Sequence, residues 1–210
     1  MKGKFFAIEG LDGAGGTTHS KKLARHLRAK GIDAVWMEYT GTPGNPVARL
    51  IDDYLHKKLD FSPQALFMLF SALHTQSTEK IKKLLAQGKT VVLDRYFPSA
   101  LAYQCAQGVD LKTAKGFVQE LALKPDAILF LKVSPETGFK RKKGQDKDID
   151  RFEQDLQLQQ KVSDIYEGLA AENFLGPWFI VDTEGKGIPD GLHLLALAVM
   201  PSSPGLFLDL

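Results

Sequence analysis

The sequence predicts an α/β fold: a five-stranded parallel sheet with helices on both faces. Two observations carry this. Short apolar runs alternate five times with longer stretches of helical spacing. The runs are continuously apolar, as in Val91-Val92-Leu93 and Ala127-Ile128-Leu129-Phe130-Leu131, which suits strands buried on both faces. In order, Lys4–Glu9 is the first strand, and the glycine-rich stretch Gly10–Gly16 follows it. Leu23, Ala24 and Leu27 then give Thr17–Lys30 a helical period, closed by Gly31. Asp33–Tyr39 is the second strand. Thr40–Pro46, with two Gly and two Pro, is a loop. Val47–His56 is a short helix, and Ser62-Pro63 starts a long one that reaches Gln87-Gly88. Thr90–Asp94 is the third strand, and helical segments follow at 99–107 and 110–123. Asp126–Val133 is the fourth strand and Trp178–Val181 the fifth. Between these two lie a helix from Ser134-Pro135, a very polar stretch Lys140–Arg151 and a long helix Phe152–Glu172. Ile188–Met200 is the last helix, and Pro201–Leu210 reads as a loose tail.

The chain has 210 residues, a one-domain length, so residues 1–200 are expected to form one domain. The polar stretch at about 140–151 is too short for a second domain and is read as a mobile flap. Hydrophobic residues at 44% and charged residues at 25% exclude a disordered or fibrous chain. Lys+Arg 27 against Asp+Glu 25 leaves a net charge of +2, too even for a protein that grips nucleic acid or an anionic membrane by bulk charge. Any anion site must therefore be local. A single cysteine, Cys105, excludes an internal disulfide framework, and no apolar run approaches a membrane span. The expected location is cytoplasmic.

The local anion site is legible. Strand, then Gly10-Leu11-Asp12-Gly13-Ala14-Gly15-Gly16-Thr17-Thr18, then helix is the context of G-x-x-x-x-G-K-[ST]. Every element is present except the lysine, whose place Gly16 takes. Backbone N–H groups of Gly10 and Gly13–Thr18 can turn onto a phosphate chain, and the helix dipole adds to them. The Thr17 hydroxyl suits Mg²⁺. A glycine-rich turn of any doubly wound fold is the plainer alternative. Loss of the lysine removes a charged phosphate contact. Lys21, Lys22 and the basic flap are the candidate substitutes, against the simpler reading of Lys21 and Lys22 as solvated helix residues.

Asp94-Arg95-Tyr96-Phe97-Pro98-Ser99-Ala100-Leu101-Ala102-Tyr103-Gln104 resembles a signature segment of the thymidylate kinases. Glu9–Gly15, Leu69-Phe70-Ser71-Ala72, Asp150-Arg151-Phe152-Glu153, Lys161-Val162 and Tyr166 follow the family in order and spacing, so the similarity spans about residues 3–200. The resemblance implies a three-layer sandwich of the P-loop NTPase type and transfer of the ATP γ-phosphoryl to dTMP, giving dTDP. It implies Mg²⁺ as cofactor, a homodimer formed through helices beside the sheet, and no nucleic-acid or membrane partner.

The resemblance also implies roles. Asp94 joins Thr17 at the metal, and Arg95 clamps the acceptor phosphate. Asp12 meets the sugar 3′-hydroxyl, and Phe70 stacks on the base. Tyr103 lies beside the sugar C2′. Ser99 lies in the acceptor site, and Gln104 faces the pyrimidine edge. Gly13 stands where some members carry an arginine, and members that lack this arginine supply the cation from the lid. Arg141 is the first candidate, with Lys142, Lys143 and Arg151 close behind. Two further departures accompany Gly16. His74 replaces an arginine that hydrogen-bonds the base, and the loop 40–46 lacks an arginine for the acceptor phosphate, the nearest being Arg49. A kinase for another nucleoside monophosphate or nucleoside, or a nucleotide-binding protein with little turnover, are the competing readings. The retained Asp12, Asp94, Arg95 and basic flap favour the active kinase.

Overall fold

The computed structural model describes residues 3–38, 44–144, 152 and 155–199. Its centre is a parallel sheet of β1 (Phe5–Gly10), β2 (Ala34–Glu38), β3 (Thr90–Asp94), β4 (Ala127–Lys132) and β5 (Trp178–Asp182) in the order β2-β3-β1-β4-β5. All six residues of β1 and all five of β3 are buried, which is why these strands read as unbroken apolar runs. Register sets Ile8 opposite Asp94 and Glu38 opposite Asp94, so the ends of β1, β2 and β3 lie side by side.

Helix α1 (Gly16–Ala29) packs against β2 and β3 and against α8 (Ile188–Val199). Of the other helices, α3 (Pro63–Ala86) packs on α4 (Phe97–Ala106), and α4 on α5 (Leu111–Leu121) and α7 (Leu156–Ala171). The short α2 (Pro46–Leu55) packs on α3, and α6 (Pro135–Lys143) on α7. Caps set the boundaries. Asn45, Ser62, Asp110, Ser134 and Asp155 each accept backbone N–H bonds at a helix start, and Pro stands in the first turn of α2, α3 and α6.

Because β1 leads away through α1 while β3 leads through α4, the connections part between these strands. The crevice at their carboxyl ends is where α/β sheets take ligands. Two expectations need correction. Lys140–Lys143, expected in an irregular polar stretch, form the last turn of α6, because the Ser134 cap launches a helix that carries the basic residues to its C-terminal end, where the dipole favours them. Phe152 does not start a helix. The Asp155 carboxylate accepts from Leu158 N and begins α7 there, leaving Phe152 to pack between Tyr54 and Tyr103. Arg151, the rest of the expected flap at 145–150, most of the loop at 40–46 and the tail 201–210 lie outside the described residues.

Candidate active site

The loop after β1 closes through Ala14 N donating to Leu11 O (3.1 Å), with Gly13 at φ 81 and Gly15 at φ 91. Only glycine adopts such backbone without strain. No side chain caps α1 at Gly15, so the first-turn N–H groups of Gly16, Thr17 and Thr18 are left for an anion. The Thr17 hydroxyl bonds the Asp94 carboxylate, whose pKa is raised by burial at the end of β3. Thr17 and Asp94 thus stand together as expected. A Cβ on Gly16 would lie 3.1 Å from Asp94 Oδ1.

Gly10 also ties the loop to Arg95. It ends β1, and its carbonyl accepts from Arg95 Nη1 (3.0 Å). Arg95 itself has φ 64, unusual for a side chain of its size, and its N–H donates to Ile8 O (3.0 Å). That twist turns the guanidinium back over the loop, where Nη2 meets Asp12 Oδ1 at 2.6 Å. The Tyr103 hydroxyl donates to the other Asp12 oxygen (2.9 Å). Burial pushes the Tyr103 phenol well up, so it remains a donor. An acidic residue in a phosphate loop is thereby held by a cation and a hydroxyl at the edge of a pocket.

Behind this pair lies a residue the sequence reading passed over. Glu9 is buried, and its carboxylate accepts from Tyr96 N (2.8 Å), Ser99 Oγ (2.6 Å) and Tyr166 OH (3.1 Å). Burial raises its pKa to about 7. A carboxylate interrupting an otherwise apolar buried strand was the available signal. Ser99, expected at the acceptor, reaches the pocket wall but spends its hydroxyl on Glu9.

Arg95, Tyr103 and Gln104 line a pocket beside Asp12, closed by Phe70, His74 and Phe152. Gln104 is fully buried, and among the described residues neither its amide oxygen nor its nitrogen has a hydrogen-bond partner. Phe70 stacks on His74 at 6.5 Å. His74 was expected to offer a donor in place of arginine. It is fully buried in the pocket wall, packed against Tyr96 and Phe97, and burial pushes its pKa down to about 3, so the ring is neutral and carries one N–H donor rather than a charge. Arg49 lies on α2, exposed, with its Nε 3.9 Å from Asp53.

On the opposite side, α6 presses on the loop. Gly138 stands against Gly13 and Asp12 so closely that a Cβ on either glycine would overlap the other segment's backbone. From the last turn of α6, Arg141 Nη2 donates to Thr183 O (2.8 Å), while Lys143 is exposed and Lys142 half-buried. His19 is also buried beside the loop. Its Nδ1 contacts Gly15 O at 2.9 Å and its pKa is lowered by burial, so the neutral ring donates there. Cys105 is half-buried, with its thiol pushed up to about 11 by burial, and is inert.

Known proteins place this geometry. The family described as Thymidylate kinase matches residues 8–188. A probable thymidylate kinase of Methanocaldococcus jannaschii is 39% identical over 188 residues, covering 89% of this chain and 90% of that protein. The thymidylate kinase of Caldanaerobacter subterraneus subsp. tengcongensis is 34% identical over 173 residues, covering 79% and 81%. The solved thymidylate kinase of Candida albicans superposes with a TM-score of 0.76 at 28% identity, over 94% of this chain and 91% of that one. Sheet order, phosphate loop, the Asp94-Arg95 turn and these matches agree, and the chain belongs to the thymidylate kinase family.

Proposed function

We propose that this chain transfers the γ-phosphoryl of ATP to dTMP, giving dTDP and ADP. The observation that carries the reading is Gln104. A buried amide with no protein partner is costly unless a ligand satisfies it. Its pocket is joined to the phosphate loop through Arg95 and Asp12. A thymine edge offers both an N–H and a carbonyl, which one carboxamide can pair. Phe70 supplies the ring face for the base, and Tyr103 with Asp12 the sugar contacts.

Phosphoryl transfer needs in-line positioning and positive charge more than covalent help. The N–H groups of Gly13–Thr18 hold the donor phosphates. Arg95, pre-set by Asp12 and Gly10, swings one face of its planar fork onto the acceptor phosphate. The residues present fit Mg²⁺: a hydroxyl and a carboxylate, both hard oxygen donors, stand together at Thr17 and Asp94. Among the described residues no group of three or more His, Cys, Asp or Glu could hold a metal alone. That suits an ion carried largely by nucleotide phosphates, where it neutralises developing charge. Arg141, in the last turn of α6, is the first lid cation. With Lys142, Lys143 and Arg151 it closes over ATP and excludes water. No described helix is long and apolar enough to cross a membrane. The groove between α3 and α5, with Met68 and Phe117 exposed, is the face through which two copies pair.

ADP release with Mg-ATP across a panel of nucleoside monophosphates tests the reading. The expected result is fastest turnover with dTMP. No turnover with any acceptor overturns it, and a faster acceptor replaces dTMP.

A further inference from the structure

Gly16 leaves the phosphoryl path one cation short, and the cations around the loop are not equally available to fill the gap. Arg95 is tied to Asp12 at 2.6 Å, and Arg141 is bonded to the Thr183 carbonyl. Lys21 makes no ion pair or hydrogen bond among the described residues. Its Nζ rests 4.3 Å from the centre of the Trp36 ring. We propose that Lys21 takes over the phosphate-contacting role vacated at position 16, its ammonium leaving the Trp36 ring for the terminal phosphate of bound ATP. The inference rests on the kinase reading above.

Helix geometry puts Lys21 in the right place. Thr17 and Lys21 are four residues apart and share one face of α1. Thr17 on that face bonds Asp94, so Lys21 lies one turn below the expected metal position, about 6 Å along the axis. A flexible four-carbon stem covers that rise. The Asp94 carboxylate and the phosphates draw the ammonium in the same direction.

The Trp36 shelf is itself built. Its Nε1–H donates to Ser20 Oγ (2.9 Å), and Ser20 Oγ donates to Thr17 O (3.1 Å), fixing the indole to the first turns of α1. A single cation–π contact holds an exposed lysine weakly, so the charge is parked rather than locked. Lys22, the next residue, lies on the other side, near His19. During transfer the γ-phosphorus exchanges its bond to the ADP oxygen for one to an acceptor-phosphate oxygen. Lys21 stays protonated throughout and stabilises the charge on those oxygens.

Trp36 reports the movement directly. The chain has two tryptophans, so Trp178→Phe leaves Trp36 as the sole indole. In that background, saturation with Mg-ATP is expected to change Trp36 emission. The change is expected to vanish in Lys21→Met, with calorimetry confirming that nucleotide still binds. An equal emission change with and without Lys21 overturns the proposal. In turnover, Lys21→Met is expected to lower kcat on the order of 10²-fold, and adding Gly16→Lys to recover at least about tenfold. Arg25→Met, one turn farther along the same face, is expected to leave kcat unchanged. A Lys21→Met protein that melts normally and keeps kcat within about threefold also overturns the proposal. A native chain that binds Mg-ATP without turnover ends the kinase reading, while the Trp36 measurement still decides the fate of Lys21.

Discussion

The Gly138 carbonyl of α6 lies where a side chain on Gly13 would have to begin, and a side chain on Gly138 would meet the Asp12 carbonyl in return. Helix and phosphate loop therefore touch backbone to backbone. Gly13→Ala adds a Cβ to a residue at φ 81 and pushes α6 away, with an expected cost of about 2 kcal/mol or more. Gly138→Ala is sharper. In an uncrowded helix, alanine would stabilise by roughly 0.5–1 kcal/mol over glycine. The contact with Asp12 is expected to reverse that sign and weaken ATP binding in calorimetry. A rise in melting temperature for Gly138→Ala would show that the contact is not rigid.

Gln104 separates stability from function. Its amide has no hydrogen-bond partner among the described residues, so Gln104→Leu removes an unpaired buried polar group at nearly constant volume. The variant is expected to be more stable by about 1 kcal/mol, a rise of roughly 2–4 °C in Tm for a chain of this size. At the same time the KM for dTMP is expected to rise by about tenfold or more, with the KM for ATP unchanged. Thermal melting and initial rates check both halves. A loss of stability would mean that the amide is held by the fold.

Asp12 and Arg95 act as one unit. Asp12→Asn keeps one acceptor oxygen, enough for Arg95 or Tyr103 but not both, and removes the charge that holds the guanidinium over Gly10. With Arg95 less well placed, kcat/KM for dTMP is expected to fall about 10²-fold, mostly in kcat. Arg95→Lys is expected to cost at least as much, because an ammonium cannot bridge Gly10, Asp12 and a phosphate with a planar fork. Equal activity of Asp12→Asn and the native chain would remove Asp12 from the site.

Much of this was legible in the sequence, for reasons specific to each segment. Strands buried on both faces leave continuous apolar runs, and Ser62-Pro63 announces a helix start. The phosphate loop was readable because spacing alone fixes backbone N–H groups. What the sequence could not give was direction. His74 reads as a possible cation until burial strips its charge, and Lys140–Lys143 read as part of an irregular polar stretch until the Ser134 cap draws them into α6. Glu9 was visible as a letter. Its role depends on Tyr96, Ser99 and Tyr166, of which Tyr166 lies 157 residues away along the chain. The Gly13–Gly138 contact leaves no pattern at all, because it consists of two absent side chains.

Glu9 and His74 oppose each other in the dependence of stability on pH. Burial raises the Glu9 carboxyl from 4.5 to about 7, so between these values the folded chain holds a proton that the unfolded chain has released. Stability from this group is present at low pH and is lost as pH rises toward 7. Burial lowers the His74 imidazole from 6.5 to about 3, so there the unfolded chain holds the extra proton. Stability from this group is present above pH 6.5 and is lost as pH falls. Between pH 4.5 and 6.5 the two slopes cancel, each being roughly 1.4 kcal/mol per pH unit for one proton. Relative to the native chain, stability of Glu9→Gln is expected to climb from pH 4.5 to about 7, the window in which Glu9 itself titrates. Relative to the native chain, stability of His74→Phe is expected to fall as pH rises to 6.5 and to stay level above it. Urea midpoints at pH 5, 6, 7 and 8, read as differences from the native chain, cancel the contributions of Asp94, His19 and His26, whose own shifts are common to all three proteins. Parallel curves for both variants would place the compensating groups elsewhere.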